Sequence, residues 1–233
     1  MAPEVQLSWS LVIPVKVLAQ AKSRLTGLAG PGRSKLALAM AADTVAAATS
    51  AAGVATVLVV TDDPEVSSAA AELGAVVLPD EPAVGLNEAL THGAGYAQKR
   101  WGERGIAALA ADLPALHPRE LSRALAKASR HGAAFVPDAL GTGTTLYATT
   151  PGAAFQPLFG DGSRDRHLAA GVAEIDLGSE STGLRQDVDT IDDLLRAAAI
   201  GLGPRTRAVL AESGLAKSGL DVDDRAGERP GDA

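Results

Sequence analysis

Four apolar runs, at residues 11–17, 55–61, 75–78 and 106–111, are each followed by a stretch patterned for one helix, and this alternation constrains the fold more than any other feature of the chain. Strands joined through single helices pair in parallel, and a parallel sheet has to be covered on both faces. The runs fit that demand, being mostly apolar and rich in Val, Ile, Leu and Ala. The expected fold class is therefore α/β, a single three-layer domain with a mostly parallel central sheet. In such sheets ligands bind beyond the carboxyl ends of the strands.

The punctuation between the runs supports this reading. Ser34 is expected to cap a helix over residues 35–49, and Asp63 with Pro64 to open one that reaches Leu73. Gly85-Leu86-Asn87 opens a helix running to about Arg100, and another is bounded by Pro118 and Gly132. Past Gly132 the rhythm changes. Residues 133–137 and 145–149 are strand-like and flank the glycine-bearing loop 138–144, which predicts a local hairpin. A second glycine-rich turn, 159–163, precedes a predicted helix over 164–170 and a strand over 173–177. Thr190 and Asp193 form a T-x-x-D start for a helix ending near Gly201, and a last helix follows Pro204. Residues 1–10 read as an N-terminal extension, 11–212 as the domain, and 213–233 as a polar tail with no apolar face to repay its ordering.

Composition removes several function classes. The net charge of -7 and the lack of a basic run argue against a nucleic-acid partner, and 3% aromatic content argues against base-stacking platforms. No cysteine occurs, so disulfides, thiolate metal sites and a cysteine nucleophile are excluded. No basic segment leads into an apolar one at the start and no run is long enough to span a membrane, so a cytoplasmic protein is expected.

Within this acidic chain, Lys16, Lys22 and Arg24 crowd the loop that leaves the first strand. Three cations at a strand's carboxyl end suit a phosphate-bearing ligand, although an ordinary solvated loop has the same spacing. The glycine spacing from Gly27 to Ser34 imitates a P-loop, but Arg33 replaces its lysine, Pro31 removes a backbone donor, and the strand ends about ten residues too early. Acidic residues recur at strand ends: Asp112 in AADLP, and Asp187 and Asp189 in QDVDT. Carboxylates so placed suit a divalent cation, and magnesium in particular takes one or two of them together with phosphate and water; helix capping is the alternative, equally favoured for Asp189. His92, His117, His131 and His167 form no ligand set and most are expected at the surface. No G-x-S-x-G, H-E-x-x-H or G-x-G-x-x-G motif supports a hydrolase, a zinc protease or a nicotinamide enzyme.

Taken together, residues 11–25, Thr61-Asp62-Asp63-Pro64, Gly85-Leu86-Asn87, Asp112-Leu113-Pro114, Gly141 to Thr144, Phe159 to Ser163 and Gly183 to Thr190 resemble the phosphoenolpyruvate and 2-phospho-L-lactate guanylyltransferases of coenzyme F-420 biosynthesis. The resemblance covers about residues 11–210 and is carried by the order and spacing of motifs that are individually weak. It implies a nucleotide-diphospho-sugar transferase-like (glycosyltransferase-A-like) fold. It also implies transfer of GMP from GTP to the phosphate of phosphoenolpyruvate, the acceptor of the alanine-rich actinobacterial branch, giving enolpyruvoyl-2-diphospho-5'-guanosine and pyrophosphate with Mg2+ as cofactor.

On that resemblance Asp112 and Asp187 hold the metal, and Lys16, Lys22 and Arg24 hold the β- and γ-phosphates, with Lys22 and Arg24 the catalytic pair. Thr61, Asp62, Gly85 and Asn87 contact the nucleotide, and Thr144, Gly160 and Ser163 the acceptor. The superfamily's usual first loop is glycine-rich; here only the Arg24-Leu25 ending survives, and lysines stand in for glycine amides. Open alternatives are 2-phospholactate or 3-phosphoglycerate as acceptor, and a catalytically silent nucleotide-binding regulator. A homo-oligomer and handover of the product to the next pathway enzyme are compatible with this reading and unspecified by it.

Overall fold

The computed structural model describes residues 7–18, 25, 30–178 and 181–213. In chain order its elements are β1 (Trp9–Pro14), α1 (Gly30–Thr49), β2 (Val54–Val60), α2 (Pro64–Glu72), β3 (Val76–Leu78), α3 (Leu86–Trp101), β4 (Gly105–Leu109), α4 (Pro118–Ala128), β5 (Ala133–Pro137), β6 (Thr144–Thr149), α5 (Ser163–Ala169), β7 (Ala173–Glu174), α6 (Thr182–Arg185), α7 (Ile191–Ile200) and α8 (Pro204–Glu212). The strands form one seven-stranded sheet in the order β3-β2-β1-β4-β6-β5-β7. Pairing is parallel from β3 through β4, antiparallel on both sides of β6, and parallel again between β5 and β7. Only β6 runs against the rest, as expected for the hairpin after Gly132.

The central strands are buried on both faces, so successive residues feed opposite cores. Leu11, Ile13, Val57, Val59, Ala107 and Leu109 join one cluster with side chains of α1, α2 and α4. Their neighbours Val12, Leu58, Val60, Ile106 and Ala108 join a second with Ala89, Leu90, Ala94 and Ala97 of α3. Full burial of each Val, Leu or Ile side chain among them stabilises the fold by about 1.5–3 kcal/mol. α3 lies so close to the sheet that a Cβ on Gly93 would stand 2.5 Å from Val12 Cγ1 and 3.0 Å from Val60 Cγ2. A third cluster, including Leu36, Met40, Val188, Leu194 and Leu210, packs α7 and α8 against α1.

Several boundaries differ from expectation. β1 starts at Trp9, so Trp9 and Ser10 belong to the sheet, and it ends at Pro14. Ser34 is not an N-cap: α1 begins at Gly30, and the Ser34 hydroxyl instead donates to the Leu18 carbonyl, 3.4 Å away. Pro31 and Gly32 of the false P-loop are therefore helical. β7 has two residues rather than five: Ala173 and Glu174 pair with Ala134 and Phe135, and Ile175 N–H makes the last bond, to the Phe135 carbonyl at 2.8 Å. The single turn α6 was not foreseen; it is tied to α4 by Gly183 N–H donating to Glu120 Oε1 at 3.3 Å. The residues after Ser213 lie outside the described ones. Among the described residues no helix is long and apolar enough to cross a membrane.

Candidate active site

A cleft of about 680 Å³ opens along the carboxyl edge of the parallel strands. Its walls come from Pro14 to Lys16 after β1, Ala110 to Asp112 after β4, the β5–β6 loop, the turn around Gly160, and the segment from Asp187 to Asp193. Lys16, Asp112, Thr144, Gly160, Ser163 and Asp187, all singled out in the sequence, line this one cleft. Lys22 and Arg24 lie outside the described residues. Thr61, Asp62, Gly85 and Asn87 are not among the lining residues. Thr61 Oγ1 accepts from Asp63 N–H at 3.1 Å, Asp62 Oδ1 accepts from Asp80 N–H at 3.0 Å, and Gly85 precedes α3. The Asn87 amide is spent on Phe159, donating to its carbonyl at 3.2 Å and accepting from its N–H at 2.8 Å.

On the β1–β4 side the wall is built from strand ends. Asp63 caps α2 through Oδ1, which accepts from Glu65 and Val66 N–H, while Oδ2 accepts from Leu18 N–H at 2.9 Å and so holds the loop carrying Lys16. Val188 N–H donates to the Asp112 carbonyl at 3.1 Å, which sets the Asp187 segment beside the end of β4. Thr190 caps α7 with the reciprocal bond from Asp193, so the T-x-x-D start is present and Asp189 lies one residue outside the cap. Burial alone would raise the Asp193 carboxyl, but hydrogen bonds from the Thr190 hydroxyl and N–H, Arg196 and Asp189 N–H outweigh it and lower its pKa. Near Lys16, burial and the Asp62 charge raise the Asp80 carboxyl, partly offset by His92 and Lys16 itself.

The lining is acidic. Asp112, Asp138, Asp161, Asp187, Asp189 and Asp193 face one described cation, Lys16. Among the described residues no group of three or more His, Asp or Glu is gathered to hold a metal. Magnesium needs fewer protein ligands than that, one or two carboxylates with phosphate and water, and the chemistry of the Asp112 and Asp187 pair fits it.

On the β6–β5 side the wall is made of loops pinned by side chains. Buried Asp138 accepts from Thr142 N–H through Oδ1 and from Gly143 N–H through Oδ2, each at 2.8 Å. The Asp138 carbonyl in turn accepts from Arg185 Nη2 at 2.7 Å. Arg164 N–H donates to the Thr142 carbonyl at 3.1 Å, so the two glycine-bearing loops are adjacent. Arg166 donates to the carbonyls of Leu158, Phe159 and Asp161. Ser163 Oγ, Thr144 Oγ1 and His167 Nδ1 form a buried chain with separations of 3.1 and 3.0 Å.

Comparison with known proteins settles the lineage. The family model for "Guanylyl transferase CofC like" matches residues 9–225. A phosphoenolpyruvate guanylyltransferase from Thermomonospora curvata is 56% identical over 209 residues, 89% of this chain and 91% of that protein. One from Streptomyces coelicolor is 53% identical over 206 residues, covering 88% and 97% respectively. The chain belongs to the CofC-like guanylyl transferase family. Its fold is that of the nucleotide-diphospho-sugar transferases: a crystal structure from Desulfovibrio desulfuricans G20 described as one superposes with TM-score 0.69 at 17% identity, over 93% of this chain and 100% of that one. CMP:2-keto-3-deoxy-manno-octonic acid synthetase, complexed with CTP, superposes with TM-score 0.52 at 16% identity, over 88% and 99%.

Two residues that shape this CofC-like cleft escaped the sequence reading, Asp138 in its lining and His167 behind it. Asp138 could have been suspected, since an Asp followed within five residues by Thr and Gly is a pattern for side-chain-to-backbone turns. His167 could not. Most of the four histidines are expected at the surface, yet this one is fully buried and bonds Thr144, 23 residues away in sequence. No local spacing encodes that contact.

Proposed function

We propose that this member of the CofC-like family transfers GMP from GTP to phosphoenolpyruvate as a step of coenzyme F-420 biosynthesis. An oxygen of the acceptor phosphate attacks the α-phosphorus of GTP, a new P–O–P linkage forms, and the bond from the α-phosphorus to the bridging oxygen breaks, releasing pyrophosphate. No protein nucleophile is needed. The work of the protein is alignment of two mutually repelling anions and compensation of their charge.

The observation that carries this reading is one cleft in which a carboxylate pair on the strand-end wall faces hydroxyls and glycine loops on the other. An acidic lining with Lys16 as its one described cation cannot hold two phosphorylated ligands without added positive charge. Mg2+ on Asp112 and Asp187 would supply that compensation. Lys16 and, by resemblance, Lys22 and Arg24 would hold the β- and γ-phosphates and favour departure of pyrophosphate. Asp63, through Leu18, keeps the Lys16 loop against the nucleotide side, and Thr144, Gly160 and Ser163 receive the acceptor. The test is pyrophosphate release with GTP, magnesium and phosphoenolpyruvate, run beside ATP, CTP and UTP and beside 2-phospholactate and 3-phosphoglycerate. GTP with phosphoenolpyruvate should give the highest kcat/KM. A higher value with another acceptor would reassign the substrate, and no release with any pair would overturn the activity.

A further inference from the structure

His167 is a side chain whose burial, partners and tautomer all follow from the structure, and none of them is used by the chemistry above. It is 0% exposed. Its ring stacks between Phe135 and Tyr147, at centroid distances of 5.2 and 5.0 Å and interplanar angles of 26° and 17°, with the edge of Phe159 closing a third side at 6.0 Å. Leu158 N–H donates to Nε2 at 3.1 Å. A backbone N–H is only ever a donor, so Nε2 must carry a lone pair. Burial among aromatic rings disfavours the charged form, leaving the single ring proton on Nδ1. Nδ1 lies 3.0 Å from Thr144 Oγ1; it has no lone pair to receive a hydroxyl proton, so Thr144 accepts, alongside the Ser163 carbonyl.

The consequence reaches the cleft. With one lone pair of Thr144 Oγ1 occupied by His167 and Ser163 Oγ 3.1 Å away, the two hydroxyls share one proton between them, and the other has no partner within the group. Both residues line the cleft. The free proton is thus available to a ligand, and an anionic oxygen is the group that accepts it best. We infer that His167 is a positioning residue for the acceptor: it fixes the Thr144–Ser163 pair as a hydroxyl donor toward a deprotonated phosphate or carboxylate, and through Leu158 it sets the backbone leading to Gly160. This rests on reading Thr144, Gly160 and Ser163 as the acceptor wall.

Three variants separate positioning from simple core packing. His167→Phe keeps the aromatic stack and removes both polar contacts. It should raise the acceptor KM about tenfold, the scale of one lost hydrogen bond, and leave the GTP KM within about twofold. His167→Asn offers an N–H near the Nδ1 position, whereas His167→Gln reaches toward Leu158 and leaves Thr144 without its donor; the acceptor KM should be lower for Asn than for Gln. Long-range proton–nitrogen NMR of the histidine-labelled wild-type protein at neutral pH should show His167 as the neutral Nδ1–H tautomer. An Nε2–H tautomer, an order reversed between Asn and Gln, or a folded His167→Phe protein with unchanged acceptor KM would overturn the inference and leave the proposed activity standing. A wild-type protein that does not use phosphoenolpyruvate would overturn the activity itself. Should His167→Phe fail to fold, the Asn and Gln pair and the tautomer decide.

Discussion

The two walls of the cleft are built by different means. On the β1–β4 side the groups follow directly from parallel strand ends: Lys16 two residues past β1, Asp112 three past β4, and Asp187 set alongside by the bond from Val188 N–H to the Asp112 carbonyl. On the β6–β5 side, Asp138 follows β5 and Thr144 opens β6, but the loops between and beyond them are pinned by side chains. Asp138, Arg166 and His167 hold two glycine-bearing loops by their backbone from within the same segment, and Asn87 reaches them from α3. Strand ends are placed by sheet register, which is rigid and tolerant of side-chain change. Pinned loops hold a small ligand closely, at the cost of depending on each pin.

This contrast makes its largest prediction at the carboxylates. Asp112→Asn and Asp187→Asn should each lower kcat about a hundredfold, the scale of losing one charge-stabilising group, while the far-ultraviolet spectrum and Tm stay near wild type. Wild-type turnover of a folded Asp112→Asn protein at limiting magnesium would break the strand-end half of the comparison.

Next comes Gly160, whose φ of 115° lies where a β-branched residue is strained by about 1–3 kcal/mol. Gly160→Val should cut kcat/KM for the acceptor about tenfold or more and spare GTP binding. Calorimetry with each ligand separately checks it; equal loss for both would mean that the two walls are not independent.

A matched pair of aspartates sharpens the comparison further. Asp138→Ala strands the N–H groups of Thr142 and Gly143, at about 1–3 kcal/mol for each that stays unpaired, and should raise the acceptor KM. Asp63→Ala removes the cap of α2 and the bond to Leu18, at about 1 kcal/mol for the cap, and should raise the GTP KM instead. Steady-state kinetics of both variants would show either this crossed pattern or a shared defect.

The smallest effect is a difference in acid response. Burial chiefly lowers His167 from an ordinary 6.5 to about 4, helped by the Arg166 charge and opposed by the Ser163 carbonyl. Because the folded value is the lower one, protonation favours the unfolded chain: this contribution is complete above about 6.5 and is lost as pH falls toward about 4. Asp193, also lowered, holds its contribution above its ordinary 3.8 and loses it only below. Stability measured by denaturant unfolding across pH should therefore weaken first through His167, and His167→Phe should flatten the upper step alone.

Much of the fold was legible because it follows from local chemistry. Apolar runs can be buried only in a sheet covered on both faces, and Asp63-Pro64 and Thr190-x-x-Asp193 cap helices through contacts three residues away or fewer. The candidates Lys16, Asp112 and Asp187 were legible for the same reason, as charged residues placed just past apolar runs or just before a helix. Boundaries were less so: Ser34 has the chemistry of a cap, yet α1 runs through it, and the strand-like run after Val172 pairs with β5 for only two residues.

By itself, then, the sequence determined the α/β class, the single antiparallel hairpin, and the chemical types gathered at the strand ends, since each depends on residues near one another in the chain. Tertiary structure decided what surrounds them. It buried His167 between Phe135 and Tyr147, turned its Nδ1 to Thr144, and spent Asn87 on Phe159, 72 residues away in sequence. Those contacts arise only where folding brings remote segments together, and no periodicity or spacing along the chain records such a meeting.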